Sequence, residues 1–337
     1  MPRLSGQLLP AGAVVLLLAI WAVVEMQGAG TKSAEPQKQA KSRDDRDAAP
    51  PPAQPIPFNG KRALDYIRDL CKIGTRISGS DGMKKQQEVI KAHFERHAAK
   101  VTFQRFTAQQ VTRPHPVEMA NIIVTWHPDR TKRVILCSHY DTRPKADQEQ
   151  DPRDWNKPFL SANDGTAGVA WLMELAHHMK QLPTEVGVDF VLFDGEEYVF
   201  DGPHGQDRYF FGSEHFADDY RRNPPKHRYS GAVLLDLIAG KDAKFPIEQN
   251  SHFKAGKLVE EIWRTAREVG VGAFRNTMTE PILDDHLALN RVGIPAVDII
   301  DFDYVHWHKL SDLPEQCSAE SMEQIAKVLT VWLQRVK

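Results

Sequence analysis

The chain has 337 residues, of which 41% are hydrophobic and 26% are charged, so it is long enough to bury a substantial core. Lysine and arginine together number 43 against 45 acidic residues, which gives a formal charge of −2 and no basic surplus of the kind that marks nucleic-acid-binding proteins. Cys71, Cys137 and Cys317 lie far apart and form no CxxC pair, so we do not expect a cysteine-based zinc site.

The N-terminal part of the chain does not have the pattern of a folded domain. An apolar run at residues 11–24 follows Arg3 and predicts an export signal or a membrane anchor. Residues 31–57 contain almost no large apolar side chains and are rich in proline, alanine, glutamine and charge, so we expect a disordered linker. The predicted organisation is therefore a signal peptide or anchor at 1–30, a linker at 31–57 and a catalytic domain at 58–337. That domain would be exported, either periplasmic or extracellular, or held outside the cytoplasm by a single membrane-spanning segment.

From residue 58 onward, strand patterns and helix patterns alternate. Apolar, β-branched runs predict strands at 120–125, 133–137, 188–193, 231–237 and 294–300, with helices at 169–179 and 257–269 between them. Apolar residues at helical spacing from 325 to 336 predict a last helix, and Ser321 with Gln324 predicts a capping box at its start. The alternation favours a three-layer α/β fold, in which a mostly parallel mixed sheet carries helices on both faces.

Acidic and imidazole side chains recur where the predicted strands end or the helices begin. They are His139, Asp141, Asp164, Glu196, Glu197, Asp236, Asp284, Asp285, His286, His306 and His308. Taken singly, each has an ordinary explanation as a helix cap, a solvated loop residue or a surface histidine. Together they would converge on one crevice, because ligands of such sheets bind at the carboxyl ends of the strands. Carboxylates crowded there would repel one another unless a cation binds, and oxygen and nitrogen ligands without thiolates favour a catalytic zinc.

Five short segments resemble the motif series of the M28 zinc peptidase superfamily. They are His139-Tyr140-Asp141, residues 163–168, Asp194-Gly195-Glu196-Glu197, residues 235–238 and Trp307-His308. The resemblance spans nearly all of residues 60–337, and it implies the zinc-aminopeptidase-like fold, also called phosphorylase/hydrolase-like. Residues 235–239 with Phe245-Pro246, and residues 284–286 with 293–295 and Trp307-His308, resemble more narrowly the glutaminyl-peptide cyclotransferase branch, the glutaminyl cyclases.

The resemblance implies a zinc ion held by Asp164, Glu197 and His308. One ion is expected, but His139 and Asp236 could form a second site that shares Asp164, as in the two-metal aminopeptidases of the superfamily. The residues required for both sites are present in this chain, so their presence does not decide the number of ions.

For the cyclotransferase reaction, the resemblance implies that Glu196 is the general acid and base and that Trp307 forms a wall of the substrate pocket. It also implies that Asp236 and Asp284 form a hydrogen-bonded network around Glu196, and their like charges should raise its proton affinity. The expected reaction converts an N-terminal glutamine to pyroglutamate with release of ammonia. We expect peptide or protein N-termini as partners, no nucleic acid, a membrane contact only through the N-terminal segment, and a monomer.

Two other functions stay open at this point. A two-zinc aminopeptidase would hydrolyse N-terminal residues, whereas under the one-zinc hypothesis His139 and Asp141 would be structural, hydrogen-bonded residues. A non-catalytic, membrane-tethered binding module on the same fold is a remote third hypothesis, since such relatives lose metal ligands and this chain retains them. Animal glutaminyl cyclases carry a tryptophan after the Glu-Glu pair, where this chain has Tyr198, Val199 and Phe200, so details of the pocket should differ.

Overall fold

The computed structural model describes residues 52–201 and 205–337. The predicted signal or anchor at 1–30 and most of the predicted linker lie outside the described residues. Among the helices that can be described, none has the length and apolar character needed to cross a bilayer.

The fold is built from seven helices and eight strands within the described residues, and two short 3-10 turns accompany them. The helices are α1 (Gly60–Cys71), α2 (Asp81–Arg96), α3 (Thr166–Ala176), α4 (Phe211–Arg222), α5 (Gln249–Glu268), α6 (His286–Arg291) and α7 (Ala319–Arg335). The strands are β1 (Lys100–Ala108), β2 (Val117–Trp126), β3 (Lys132–His139), β4 (Gly187–Phe193), β5 (Arg228–Asp236), β6 (Phe245–Ile247), β7 (Phe274–Met278) and β8 (Ala296–Ile300).

Six strands form the central sheet in the order β1-β2-β4-β3-β5-β8. The four strands β4, β3, β5 and β8 are parallel, while β1 and β2 form an antiparallel pair that adds to β4 at one edge. Since β6 and β7 pair separately, the central sheet is mixed and mostly parallel, and the predicted α/β architecture is confirmed. The parallel arrangement brings the carboxyl ends of four strands to one edge of the sheet.

Helices cover both faces of the sheet. Successive side chains of a strand point to opposite faces, so each strand contributes to a core on either side. On β3, Val134 and Leu136 pack into the larger core with helices α1, α2, α3, α5 and α7. Ile135 and Cys137, which alternate with them, pack into a second core with residues of α4 and β8. Every residue of α3 is buried, so this helix has no solvent-facing side, and the segment that precedes it is held against the sheet.

The predicted elements agree with the observed ones except at particular ends. The predicted helix 257–269 begins eight residues after the start of α5. The helix is kinked at Ala255, and the apolar pattern indicated only the part after the kink. The predicted capping box of the last helix is wrong: Ser318 is the N-cap, and its side chain accepts the Ser321 amide at 3.4 Å. Ser321 lies inside α7, and its hydroxyl instead donates to the Gly240 carbonyl at 2.7 Å.

Candidate active site and metal centre

The carboxyl ends of the parallel strands carry the chemically active side chains. His139 is the last residue of β3, and Asp236 is the last residue of β5. Asp164 lies just before α3, while Glu196 and Glu197 follow β4 by three and four residues. Trp307 and His308 lie in the loop after β8, and Asp284 lies just before α6. The topology therefore gathers the seven predicted ligand, catalytic and pocket residues, and His139 with them, at one edge of the sheet.

Left-handed backbone conformations turn the chain sharply beside these side chains. Gly165, directly after Asp164, has φ 70°, and Gly195, directly before Glu196, has φ 73°. A Cβ on Gly165 would lie 2.5 Å from Cε1 of His139, so the missing side chain is what admits the imidazole. His308 itself has φ 52°, a conformation that is costly for a non-glycine residue and tends to persist at functional sites.

The three predicted zinc ligands face one another. Nε2 of His308 lies 2.6 Å from Oε1 of Glu197 and 3.6 Å from Oδ2 of Asp164. One ligand atom from each of the three residues can be chosen so that all lie within 4.8 Å of one another. Within the described part of the chain, Oδ2 of Asp164 and Oε2 of Glu197 are buried and have no hydrogen-bond partner. Buried carboxylate oxygens without partners are costly, and a metal ion satisfies them, so this donor set fits zinc.

A second group of three residues shares Asp164 with the first. Nε2 of His139 lies 3.0 Å from Oδ1 of Asp164 and 3.4 Å from Oδ1 of Asp236, again with ligand atoms within 4.8 Å. His139 is 1% exposed, and the other ring nitrogen faces Asp141 at 3.6 Å and Glu196 at 3.7 Å. Both ring nitrogens of His139 are buried and make no hydrogen bond among the described residues, so these side chains suit either a second ion or an imidazole held by the charges of the carboxylates around it.

Charged residues behind the cavity hold the ligands in position. Asp141 accepts the backbone N–H groups of Glu196 at 3.1 Å and Glu197 at 3.0 Å, which fixes the Glu-Glu turn. Asp147 lies 3.1 Å from Nδ1 of His308 and is paired with the buried guanidinium of Arg143.

Asp312 supports a different ligand from behind. Its carboxylate accepts the N–H groups of Asn163 at 3.0 Å and Asp164 at 3.2 Å. Sequence reasoning missed Asp147, Arg143 and Asp312, because each lies in an irregular loop and belongs to none of the five motif segments.

The pKa values of the two adjacent glutamates are shifted in opposite directions. Burial raises the pKa of Glu196 well above its ordinary value; the charge of His139 opposes this, while those of Glu197 and Asp284 add to it. Burial would also raise the pKa of Glu197, but the charge and the hydrogen bond of His308 lower it to about 2. We predicted that Asp236 and Asp284 would raise the proton affinity of Glu196, but burial is the larger cause. Such a separation of neighbouring pKa values is typical of a carboxyl group that moves protons beside one that stays charged.

A cavity of about 220 Å³ opens above these residues. Its lining consists of Asp164, Glu196, Glu197, Tyr209, Phe210, Asp236, Ile282, Leu283, Asp284, Ile300, Phe302, Trp307 and His308. The Trp307 ring stacks on His308 with centroids 3.9 Å apart and lies 5.0 Å from the Phe302 ring. The cavity thus has an acidic floor and an aromatic wall, and it is smaller than the roughly 300–1,000 Å³ of sites for drug-sized ligands.

Comparisons with known proteins cover most of the chain. The profile of peptidase family M28 matches residues 121–333, a range that contains every site residue from His139 to His308. The crystal structure of the glutaminyl cyclase of Fimbriiglobus ruber is 52% identical with a TM-score of 0.83, over 86% of this chain and 100% of that one. The glutaminyl-peptide cyclotransferase of Boiga irregularis is 25% identical over 77% of this chain and 76% of its own. A Zn-dependent exopeptidase of Parabacteroides distasonis is 30% identical with a TM-score of 0.75, over 82% and 99% of the two chains.

Proposed function

The chain belongs to the glutaminyl cyclase branch of peptidase family M28, and we propose that it is a zinc-dependent glutaminyl-peptide cyclotransferase. It converts the N-terminal glutamine of peptides to pyroglutamate and releases ammonia. The observation that carries the proposal is one small cavity that contains both a set of zinc-type ligands and a proton-accepting carboxyl group, Glu196, outside that set. A cavity of about 220 Å³ suits a single terminal residue better than a longer stretch of peptide.

Asp164, Glu197 and His308 would hold the zinc ion, through the carboxylate oxygens and the imidazole Nε2 that face one another. When bound, zinc supplies a Lewis acid that polarises the carbonyl of the substrate's γ-carboxamide. The number of ions is part of the proposal: we expect one, with Nε2 of His139 facing the carboxylates of Asp164 and Asp236 at 3.0 Å and 3.4 Å.

Glu196 moves the proton of the reaction. The α-amine of the substrate attacks the γ-carboxamide carbon, a C–N bond forms, and the bond from that carbon to the amide nitrogen breaks. Glu196 takes one proton from the attacking amine and returns it to the departing nitrogen, which leaves as ammonia. A carboxyl group with a raised pKa suits both steps, because it binds the proton in one and releases it in the next.

Asp236 and Asp284 line the same cavity as Glu196. Burial raises the pKa of Asp284 well above its ordinary value, as do the charges of Asp236 and Asp285, so this carboxyl group can hold a shared proton in the network. Trp307 presents an aromatic wall to the substrate side chain. Because the reacting atoms belong to one glutaminyl residue, confinement between this wall and the acidic floor supplies much of the rate advantage.

The His139–Asp164–Asp236 group could hold a second ion, as the competing function, a two-zinc aminopeptidase, requires. The comparisons favour the cyclotransferase over this alternative and over a non-catalytic binding module. Export of the catalytic domain, from the apolar run at 11–24, remains part of the proposal. Finding the full chain only in the cytosol of fractionated cells of its native host would contradict export.

The test incubates the purified full chain with zinc and a peptide that begins with glutamine, and it follows the product by mass spectrometry. We expect a loss of about 17 Da, the mass of ammonia, from an otherwise intact peptide, with no loss in Glu196→Gln. Thr107→Ser on β1, remote from the cavity, is the matched control and should retain activity. A peptide shortened by its first residue would instead establish the aminopeptidase, and zinc-loaded protein that yields neither product would contradict both enzymes.

A further inference from the structure

Three imidazoles meet on the far side of α3 from the catalytic cavity. His93 lies in the last turn of α2, His97 caps that helix, and His177 caps α3. One ring nitrogen from each can be chosen so that all three lie within 4.8 Å of one another. Asp164 precedes the first residue of α3 and His177 follows its last, so the length of the helix, about 16 Å, separates this cluster from the catalytic centre.

We propose that His93, His97 and His177 form a separate metal site, which binds a late first-row divalent ion such as Zn²⁺ through three imidazole nitrogens. We call it the three-histidine site. His93 and His97 are four residues apart on one helix, the spacing that places two imidazoles on the same face, and His177 supplies the third ligand from another helix. Neutral imidazoles without carboxylate or thiolate ligands favour Zn²⁺, Ni²⁺ or Cu²⁺ over Mg²⁺ and Ca²⁺.

The hydrogen bonds around the cluster prepare its nitrogens for a metal. Nε2 of the His93 ring lies 2.8 Å from the Met173 carbonyl oxygen, which can only accept, so Nε2 carries the proton and the lone pair of Nδ1 is free. Nε2 of His177 lies 2.8 Å from the Tyr66 hydroxyl oxygen, and Nδ1 is free for a metal in the tautomer in which Nε2 donates to that oxygen. Histidines that bind metals commonly donate their other nitrogen to a carbonyl or a comparable partner, which orients the ring.

The two helix ends at the cluster favour a cation, whereas basic residues nearby oppose one. The cluster lies where two helices, α2 and α3, both end, and each helix C-terminus carries a partial negative charge. The nearest arginine from α1, Arg62, is paired with Glu174 at 2.6 Å, so its charge is largely compensated. Arg96, in the last turn of α2, and Lys180, shortly after α3, are the basic residues that oppose binding.

His97 and His177 are partly exposed, whereas His93 is buried. The exposed edges give an ion access from solvent, and the His97 side chain can rotate towards the other two. Rotation is needed, because nitrogens around a tetrahedral zinc lie about 3.3 Å apart, closer than the limit of 4.8 Å that the cluster satisfies here. A bound ion would tie the C-terminal ends of α2 and α3 together, in a chain whose three cysteines are all free.

The experiment counts metal ions, and it is independent of the proposed cyclotransferase activity. The full chain is purified without a histidine tag, dialysed against micromolar Zn²⁺, and analysed for bound zinc by mass spectrometry. His97→Gln and His177→Gln should each bind one equivalent less than the wild type, whatever number the catalytic centre holds. Both positions are partly exposed, so the variants should fold; an unchanged circular dichroism spectrum verifies this.

The matched control is His252→Gln, an exposed histidine near the start of α5, which should bind as much zinc as the wild type. Added Zn²⁺ should also raise the melting temperature of the wild type and of this control more than that of His97→Gln. If both cluster variants bind as much zinc as the wild type, the three imidazoles are packed side chains and the three-histidine site does not exist.

Discussion

Two carboxylates outside the cavity determine how the candidate zinc ligands point. Asp147 faces Nδ1 of His308 at 3.1 Å, which leaves Nε2 directed at Glu197. Asp312 fixes the backbone at Asp164 by accepting its N–H group, and it also accepts the Tyr304 hydroxyl at 2.8 Å. Such partners orient the ligands, and their loss typically lowers metal affinity by about 10- to 100-fold.

Replacing Asp312 with asparagine should weaken zinc binding without unfolding the chain. In Asp312→Asn an amide NH₂ group replaces one acceptor oxygen and faces the backbone donors of Asn163 and Asp164, so the ligand loop shifts. We expect the dissociation constant for zinc to rise by about 10- to 100-fold, measured by competition with a chromophoric chelator. Asp303→Asn, an exposed change in the loop after β8, is the control. A dissociation constant for Asp312→Asn within twofold of the wild type would show that Asp312 does not orient the ligand.

The sequence predicted the site residues that belong to short polar segments at strand ends or helix starts, but not single acidic residues in loops. Glu196, Glu197 and Asp164 belong to short polar segments that follow strands or precede helices, and the predicted zinc ligands do face one another. Asp147 and Asp312 are single acidic residues in loops, and Asp147 lies 161 residues from its partner His308. Only the folded chain brings such pairs together, so no local pattern could indicate them.

The start of α3 is the element on which the site depends most closely. Gly165 opens the helix with φ 70°, and the space above it is filled by the His139 ring. A side chain at this position therefore has to displace a buried imidazole that contacts Asp164.

Gly165→Ala should cost far more stability than a chemically identical change elsewhere. Gly270→Ala is the matched control: its φ is 72°, but no atom lies within 4 Å of the added Cβ. We expect Gly270→Ala to lose about 1–2 kcal/mol from left-handed backbone strain alone. Gly165→Ala should lose at least 2 kcal/mol more, by analogy with overpacked cores, and should bind zinc less tightly. Urea unfolding curves that give equal losses for the two variants would show that the His139 contact is easily relieved.

Glu248 is the N-cap of α5 and joins that helix to the segment before α6. Its carboxylate accepts the N–H groups of Asn250, Ser251 and Ile282 and lies 3.3 Å from Nε2 of His286. Burial would raise the pKa of Glu248, but the hydrogen bonds from His286 and the backbone lower it to about 2 from an ordinary value of 4.5.

The stabilising effect of Glu248 should depend on pH. Since the folded-state pKa is lowered, the contribution is complete above pH 4.5 and disappears as the pH falls towards 2. Its upper limit is about 3 kcal/mol, so Glu248→Gln should be destabilised by 2–3 kcal/mol at pH 7 and by clearly less at pH 3.5. Urea unfolding at both pH values measures this, with the exposed Glu260→Gln on the same helix as control. A difference from the wild type that is the same at both pH values would contradict the assigned charge.

Helices and strands were predicted where burial produces a clear pattern of apolar residues, and they were missed or misplaced where it does not. The buried strands β3, β4 and β5 were visible as apolar runs, because helices cover both of their faces. The edge strand β1 alternates exposed and half-buried positions, and its sequence KVTFQRFTA did not stand out. The start of α7 was misplaced because two serines, Ser318 and Ser321, offer the same capping chemistry and only the backbone at Ser318 is extended.

For the whole molecule, the boundary of the folded body falls earlier than the predicted end of the linker. The Phe58 ring stacks on the buried Trp171 with centroids 5.5 Å apart, and Ile56 packs against the core. Gln54 exchanges two hydrogen bonds with Gln334 at the end of α7. These contacts attach residues 54–58 to α3 and α7, whereas composition alone assigned 54–57 to the linker.

Two truncated chains test whether residues 1–51, the predicted signal or anchor with most of its linker, contribute to the stability of the fold. A chain that starts at residue 52 retains these contacts, and if residues 1–51 are only a signal or anchor with a linker, it should melt at the same temperature as the full chain. A chain that starts at residue 59 lacks Ile56 and Phe58, and partial exposure of the Trp171 surface should cost about 2–4 kcal/mol. Calorimetry on the three proteins measures both effects. A lower melting temperature for the chain from residue 52 would mean that residues 1–51 contribute to the fold, and the predicted linker would then be wrong.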